Sequence, residues 1–252
     1  MMPAADAEDG SMTTRERILA LLEENKGAYV SSRLLTEETG VSRSAVWKAV
    51  CELREEGYPV ESQPRKGYRL SADSDRISLQ GIAVYLQDRS LLDKVAVFDE
   101  LASTNMAAKL NVVSGMTEKT VIIARRQTKG AGHGGTAYDS PEGGVYLSLI
   151  REPRKGERRL TAADIGGKAA SVIAAETKQE TRLDAATNRI YIGKKKVCGI
   201  LTETIADLET GEISAYIIGI GIQIDGIRKN RMIAALIRAF IGEGPGQCGA
   251  PE

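Results

Sequence analysis

The chain has 252 residues with 34 basic and 34 acidic side chains, so its formal net charge is zero and a general polyelectrolyte surface is excluded. This length allows for two domains. Aromatic residues make up only 4% of the chain, which leaves the core to aliphatic side chains, and the single histidine argues against a zinc enzyme.

The first residues are polar and acidic, and we expect residues 1–13 to form a disordered tail rather than a signal peptide, because they contain no hydrophobic segment. The longest apolar stretch, residues 215–222, is too short to span a bilayer. The cysteines Cys51, Cys198 and Cys248 show no pairing pattern and no metal-binding spacing. These features predict a cytoplasmic protein without a membrane contact or a tightly bound metal.

Residues 14–71 are predicted to form a winged helix-turn-helix domain. Ser31 is a suitable N-cap for a short helix that ends at Gly40, where glycine enters the left-handed turn without a Cβ penalty. Ser42 caps a second helix, which ends at Gly57. The inward positions of the second helix are three to four residues apart and comprise Ala45, Val46, Ala49, Val50 and Leu53.

A charged hairpin follows and forms the predicted wing, with Val60 and residues 68–70 flanking a turn at residues 63–67. Basic and polar side chains at the start of the second helix and at the wing tip suit contacts to phosphates and base edges. The predicted DNA-binding residues are Ser42, Arg43, Ser44, Trp47, Lys48, Arg65 and Lys66. Core packing remains an alternative for Trp47, and a protein contact or a scaffold role remains an alternative for the whole block.

Residues 72–80 are polar and predict a linker, residues 81–244 predict a second domain, and residues 245–252 predict a tail. The predicted strands are 94–98, 120–124, 144–150, 189–192, 197–203 and 214–224. The predicted helices are 78–87, 104–110, 160–177 and 229–240. Because several strands are adjacent and connected by hairpin turns, this pattern indicates an α+β domain, a mixed sheet with helices packed on one face.

A glycine-rich segment at residues 130–135 matches the G-x-G-x-x-G pattern of dinucleotide-binding folds. Those folds need a helix after the motif, whereas here a second loop at residues 136–144 leads into a strand. We therefore predict a flexible loop between two strands, whose backbone N–H groups can close over an anionic ligand. A merely mobile surface loop is the alternative.

Several short motifs follow one another in a characteristic order. They are Ser103-Thr104-Asn105, Gln127, the glycine-rich loop, Ser140-Pro141, residues 143–148, residues 196–203 and Gly219-Ile220-Gly221. Together with the N-terminal domain, this set resembles the bifunctional biotin protein ligase and biotin-operon repressor family over nearly the whole chain. The resemblance implies a biotin/lipoate-ligase-like second domain, and we expect the small C-terminal β-barrel of many members to be absent.

The resemblance implies ATP and biotin as substrates. It is also compatible with Mg²⁺ bound to the nucleotide. In this family the biotin carboxylate attacks the α-phosphate of ATP, which gives biotinyl-5′-AMP and pyrophosphate. A lysine of a biotin carboxyl carrier protein then accepts the biotinyl group. The adenylate-loaded protein forms a homodimer and binds operator DNA with an inverted repeat.

By this resemblance Lys196 is the catalytic residue, which holds the carboxylate and stabilises charge on the acyl-phosphate oxygens. The implied substrate-binding residues are Ser103, Thr104, Asn105, Gln127, Gly130, Ala131, Gly132, His133, Asn188 and Gly199. Judged from its neighbours alone, Lys196 in the run Gly-Lys-Lys-Lys is more typical of a solvated turn than of a functional residue.

Some positions depart from the family pattern. Ala131 and His133 stand where the family has arginines that clamp phosphate and carboxylate through charge-assisted hydrogen bonds. Tyr138 stands for tryptophan and Gln223 for asparagine. The family's Lys-Trp-Pro-Asn-Asp segment is Ala185-Ala186-Thr187-Asn188-Arg189 here and keeps only the asparagine. The change at Arg189 reverses the local charge, which is compatible with a different anionic ligand.

Three hypotheses follow. The first is a bifunctional biotin ligase and repressor. The second is a ligase-dead winged-helix regulator whose second domain only senses a ligand or dimerises. The third is a lipoate-type acyl ligase, which shares the second-domain fold but normally lacks a winged helix.

Overall fold

The computed structural model describes residues 12–116, 120–153, 158–207 and 209–242. Residues 1–11 of the predicted N-terminal tail, the predicted tail 245–252 and Cys248 lie outside the described residues. The chain divides into two compact units, Met1–Arg76 and Ile77–Glu252. Of the helices in the described ranges, none combines the length and the apolar character needed to cross a membrane.

The described part of the first unit folds as a winged helix-turn-helix. Its elements are α1 (Thr14–Glu24), α2 (Ser32–Thr39), α3 (Arg43–Glu55), β1 (Val60–Gln63) and β2 (Gly67–Leu70). The side chains of Ser31 and Ser42 accept hydrogen bonds from the backbone N–H groups of Leu34 and Ala45 and so cap α2 and α3. Gly40 ends α2 with a φ of 70°. The predicted caps and the predicted end of α2 are confirmed.

Helix α1 is absent from the predicted elements, although Thr13 and Glu16 form a capping box at its start. One core unites α1, α3 and the hairpin. Its buried side chains include Ile18, Leu19, Leu22, Val46, Ala49, Val50, Leu53 and Leu70. The predicted inward face of α3 is therefore correct except at Ala45, which is only partly buried.

The wing is joined to the segment before α2. Val30 and Tyr68 form an antiparallel bridge in which each N–H donates to the other carbonyl, at 2.8 and 2.9 Å. Gly67 adopts a φ of +102°, and a Cβ at this position would lie 2.0 Å from the Val30 carbonyl oxygen. Glycine is thus required here both for its backbone conformation and for the close approach of the two segments.

Within the described ranges, the second unit is a seven-stranded mixed sheet flanked by helices. The helices are α4 (Leu79–Ala83), α5 (Thr104–Val113), α6 (Ala162–Thr177) and α7 (Lys229–Phe240). The strands are β3 (Val95–Leu101), β4 (Val121–Gln127), β5 (Val145–Arg151), β6 (Arg182–Asp184), β7 (Arg189–Ile192), β8 (Lys195–Ala206) and β9 (Ile213–Ile222). Their order is β3-β4-β5-β9-β8-β7-β6, and only β3 and β4 are parallel neighbours among these described strands. The predicted α+β class with a mixed sheet is confirmed.

Both faces of the sheet are covered by helices. Val121 and Ile123 of β4 point into a large core shared with α4, α6 and α7, whereas Ile122 packs with Ala108 of α5 in a separate cluster. The expectation that the helices pack on one face is therefore wrong for α5. Strands β4 and β5 are apolar at successive positions, as strands covered on both faces are.

Two other segments differ from the sequence prediction. Helix α4 has five residues in place of the predicted 78–87, and the chain then forms a short 3₁₀ turn at Arg89–Lys94. Strand β6 is absent from the predicted strands because its three residues offer too short a pattern of alternation. Ile77 and Ser78, at the end of the predicted linker, are buried.

The wing junction can be tested by replacing Gly67 with alanine. This change is expected to lower the local free energy of unfolding by about 1–3 kcal/mol or more, because a non-glycine residue would be strained at positive φ and its Cβ would collide with the Val30 carbonyl. Hydrogen exchange of the Val30 and Tyr68 amides measures the loss.

Gly40→Ala is the matched control, since Gly40 also has positive φ but an added Cβ there would meet no atom within 4 Å. Its effect should be limited to backbone strain of about 1–2 kcal/mol. Equal losses in the two variants would contradict the close approach at Gly67.

Candidate functional site

A cleft with about 660 Å³ of space free of protein atoms opens at the N-terminal end of α5. All but one of the residues assigned to the ligase site from the sequence line it, namely Ser103, Thr104, Asn105, Gln127, Ala131, Gly132, His133, Asn188, Lys196 and Gly199. The exception is Gly130, whose backbone packs against Tyr138 and Ser140.

Glycines on β8 and β9 form the floor of the cleft. Strand β9 reads Ile-Gly-Ile-Gly-Ile at residues 218–222, so the isoleucines enter the large core and the glycines face the cleft. Gly199 of β8 is the register partner of Gly221. A Cβ on Gly219 would lie 2.2 Å from Asn105 Oδ1, and a Cβ on Gly221 would lie 2.6 Å from the Tyr138 ring. Side chains therefore rest directly on the backbone of the sheet.

A buried hydrogen-bond network holds the first turn of α5. Gln127 Oε1 accepts from the N–H of Thr104 at 2.8 Å and from its hydroxyl at 3.1 Å, and Gln127 Nε2 donates to Ser140 Oγ at 2.9 Å. Ser148 Oγ lies 2.7 Å from Thr104 Oγ1 and 2.5 Å from Asn105 Oδ1. The network is neutral, and its members have fixed positions before any ligand arrives.

The network continues to a charged pair at its outer edge. Asn105 Nδ2 donates to a carboxylate oxygen of Glu203 at 2.9 Å, and the other oxygen of Glu203 accepts from Lys109 at 2.5 Å. No role was assigned to Ser148, Glu203 or Lys109 from the sequence. A signal existed for Ser148, which is a fully buried hydroxyl in an otherwise apolar strand.

The glycine-rich loop joins β4 to β5, which are antiparallel neighbours, so the predicted position between two strands is confirmed and a dinucleotide-binding turn is excluded. The loop closes on itself. Gly132 N–H donates to the Thr136 carbonyl at 2.7 Å, and Tyr138 N–H donates to the Gly130 carbonyl at 2.8 Å. These two amides would reach an anion only if the loop opened.

Tyr138 lies between the loop and the glycine floor. Its hydroxyl donates to the Gly221 carbonyl at 2.8 Å, and Lys196 Nζ lies 4.8 Å from the centroid of its ring, a cation–π distance. Burial raises the pKa of the Tyr138 phenol, so the group stays neutral and remains a donor. Tyr138 therefore shapes the wall of the cleft without adding charge.

Lys196 belongs to β8, whereas Gly193 and Lys194 form the preceding turn, so Lys196 is a strand residue with an exposed side chain and not a turn residue. Burial, and then the positive charge of Arg189, lower the pKa of Lys196. Burial also raises the pKa of the neighbouring Cys198 thiol to about 12, which keeps it neutral. The ammonium group of Lys196 is thus the charged group of β8 inside the cleft.

The positions that depart from the family pattern are spread over the site. Arg189 lines the cleft, while Ala185 is exposed and does not line it. Gln223 Nε2 donates to the Asp139 carbonyl at 2.8 Å and so ties the end of β9 to the segment after the glycine-rich loop. Asn188 has a left-handed backbone with φ 51°, and its buried Oδ1 has no hydrogen-bond partner among the described residues.

The predicted DNA-binding residues lie on the surface of the first unit. Arg43, Ser44 and Lys48 are exposed on α3, and Trp47 is 60% exposed, so the core-packing alternative for Trp47 is wrong. Ser42 has a structural role as well, because its hydroxyl caps α3. The remaining two residues, Arg65 and Lys66, are exposed at the tip of the wing.

Replacing Ser148 with alanine tests the buried network. It should lower the free energy of unfolding by about 1–3 kcal/mol, because Asn105 Oδ1 loses the Ser148 hydroxyl and the Thr104 hydroxyl loses one of its two partners. Ser171→Ala is the matched control, since the Ser171 hydroxyl is exposed on α6 and bonds only the Gly167 carbonyl of its own helix. Urea denaturation compares the variants, and equal stabilities would argue against the network.

Comparison with known proteins identifies both units. Residues 14–69 match a helix-turn-helix domain family. The curated relatives include the bifunctional ligase/repressor BirA of Bacillus subtilis strain 168, which is 33% identical over 215 residues, or 84% of this chain. The bifunctional ligase/repressor BirA of Escherichia coli strain K12 is 30% identical over 214 residues, or 82% of this chain.

The alignments cover 66% of the Bacillus protein and 63% of the Escherichia protein, so the chain spans less than two thirds of either relative. Among solved structures, a biotin protein ligase from Aquifex aeolicus in complex with biotin and ATP is 25% identical, with 59% of this chain and 69% of that chain covered at a TM-score of 0.44. Residues 97–223, half of the chain, match the biotin/lipoate A/B protein ligase family. This chain therefore belongs to the biotin/lipoate A/B protein ligase family.

Proposed function

We propose that this chain is a biotin protein ligase that also acts as a biotin-responsive transcriptional repressor. The observation that supports this proposal is the cleft, where a neutral hydrogen-bonding end and the Lys196 ammonium share one glycine floor. An elongated ligand with a polar, uncharged head and a carboxylate at the other end fits this division. Biotin has that form, and the curated relatives are named as ligase/repressors.

The neutral end would hold the ureido head of biotin. Ser103 Oγ accepts from Met106 N–H at 3.4 Å, which leaves the Ser103 hydroxyl hydrogen available to a ligand carbonyl. The buried Oδ1 of Asn188 could accept from a ligand N–H. Thr104, Asn105 and Gln127 would act chiefly by holding the first turn of α5, because their polar atoms already bond one another through Ser148 and Ser140.

At the other end, Lys196 would hold the carboxylate and offset the charge that develops when a carboxylate oxygen bonds to the α-phosphorus of ATP and pyrophosphate leaves. In the second step, the neutral amine of the carrier-protein lysine would bond to the acyl carbon, lose a proton and release AMP. The described residues that line the cleft include no carboxylate. Mg²⁺ would therefore be held by the phosphate oxygens of ATP and by water.

A ligase-dead regulator is the second candidate, and one observation favours it. The glycine-rich loop presents Ala131 and an exposed His133 to the cleft, so the loop contributes no guanidinium group. Loss of one preorganised donor typically costs about 2–4 kcal/mol of transition-state stabilisation. In that case the second unit would bind its ligand without adenylating it.

Pyrophosphate release separates the two candidates. With ATP, biotin and a carrier domain, the full chain should release pyrophosphate and biotinylate the carrier. Lys196→Gln should lower the adenylation rate at least a hundredfold, because the charge on the acyl-phosphate oxygens is no longer offset. Lys194→Gln, in the adjoining turn, is the control and should retain the wild-type rate. No pyrophosphate release at high protein concentration would exclude the ligase.

The DNA-binding part of the proposal has a separate test. We propose that a homodimer loaded with biotinyl-5′-AMP binds an inverted-repeat operator through α3 and the wing. Arg43→Ala and Lys66→Ala should each weaken binding and reduce its salt dependence, because each removes a phosphate or base contact. Arg17→Ala, an exposed cation on α1, is the matched control.

Operator selection from random duplexes, followed by binding titrations at several salt concentrations, measures these effects. Sedimentation with and without biotinyl-5′-AMP measures dimer formation. Unchanged affinity and unchanged salt dependence in both variants would remove α3 and the wing from the proposed interface.

A further inference from the structure

The strongly charged side chains that line the cleft are all cationic. Of the described residues around it, the ionisable ones are His133, Tyr138, Arg189 and Lys196, and none is an aspartate or a glutamate. Tyr138 is neutral because burial raises its pKa. The cleft therefore contains two strong cations, Arg189 and Lys196, without a carboxylate beside them in its lining.

Arg189 and Lys196 reach the cleft from paired strands. Arg189 is the first residue of β7 and opposes Gly199 of β8, while Lys196 opposes Tyr191 one bulge away. Arg189 is paired with Asp184 of β6 on one side and with Gly199 of β8 on the other, and Lys196 is paired with Tyr191 of β7. On the other side of the cleft, the glycine-rich loop contributes the side chains of Ala131 and the exposed His133, and neither is a guanidinium or ammonium group.

Carboxylates elsewhere in this part of the unit have other partners. Asp184 accepts from the Ala186 N–H and the Thr187 hydroxyl, at 3.1 and 2.7 Å. Glu203 is bonded to Asn105 and Lys109, and Asp225 lies 3.1 Å from Lys195. Asp184 is the register partner of Arg189 across β6 and β7, but none of these three carboxylates lines the cleft.

We propose that Arg189 and Lys196 together form a seat for an anionic group of the ligand, a phosphate or a carboxylate, and that Arg189 makes the cleft select ligands with such a group. The guanidinium group can donate two parallel hydrogen bonds to either oxyanion, and the ammonium group adds a third contact. For the proposed ligase this group is the acyl phosphate, so the inference rests on the proposed function for the identity of its ligand. In this chain the arginine contact comes from β7 rather than from the glycine-rich loop.

The electrostatics agree with this geometry. Burial comes first and the charge of Arg189 second among the causes that lower the pKa of Lys196. The other groups near the ammonium are the neutral Tyr138 ring and the neutral Cys198 thiol, and His133 lies in the same lining. An anion bound between the two cations would relieve their repulsion and raise the pKa of Lys196.

Amine-specific labelling of the full chain, quantified at Lys196 by mass spectrometry over a pH series, tests the charge coupling. Lys196 reacts as the neutral amine, so removal of the neighbouring positive charge should move its labelling profile to higher pH. The pH at the midpoint of Lys196 labelling should increase from the wild type to Arg189→Gln and again to Arg189→Asp. Lys195, whose ammonium pairs with Asp225, is an internal reference that should not move. Identical Lys196 profiles in all three proteins would overturn the seat.

Anion binding is measured with AMP and with inorganic phosphate as separate probes. Each should protect Lys196 from labelling in the wild-type protein. The protecting concentration should rise about tenfold in Arg189→Gln and further in Arg189→Asp. Lys195→Gln is the matched control and should leave protection unchanged. Equal protection in the wild type and Arg189→Asp would overturn the proposal.

The same proteins separate this inference from the proposed function. If AMP protects Lys196 in an Arg189-dependent manner but ATP and biotin give no pyrophosphate, the seat is supported and the ligase fails. If the wild type and Arg189→Asp adenylate biotin with the same KM for ATP and the same kcat, the ligase is supported and the seat fails.

Discussion

Three glycines on one face of β8 and β9 are the constraint on which the cleft depends. Strand β9 alternates isoleucine and glycine, so a single segment supplies core side chains to one face of the sheet and bare backbone to the other. Asn105 and Tyr138 occupy the space that Cβ atoms at Gly219 and Gly221 would fill. Without that space, the first turn of α5 and the segment after the glycine-rich loop could not approach the same floor.

The consequence for recognition is a cleft with two chemically distinct ends. The end near α5 is rich in buried, neutral groups that bond one another, and the end near β7 and β8 has two cations of which one, Lys196, is partly desolvated. A fixed polar network is rigid only while its members remain bonded, so the neutral end depends on Ser148.

A structural feature can be predicted from this sequence when the residues that cause it are close together in the chain. The caps at Ser31 and Ser42 and the α3 core positions are local, and the structure confirms all of them except Ala45. The residues that line the cleft are distant in sequence, and in the sequence only the family resemblance groups them. The face covered by α5 is not predictable from alternation alone, because a strand buried on both faces is apolar at every position.

The partners of Ser148 and the pairing of Arg189 with β8 were equally out of reach from the sequence, since both follow from strand register rather than from neighbouring residues. The glycine-rich loop is an intermediate case. Its place between two strands was predictable from the segment that follows it, whereas its closure through the Gly132 and Tyr138 amides requires coordinates.

Trp47 is the only tryptophan in the 252 residues, and it lies 60% exposed on α3. The indole emission of this protein therefore originates entirely in the first unit. Emission from that single residue responds to changes in the hydration of the α3 surface. A shift in its emission wavelength on addition of a small ligand would mean that the ligand has altered the environment of α3, so the unlabelled protein reports that change optically.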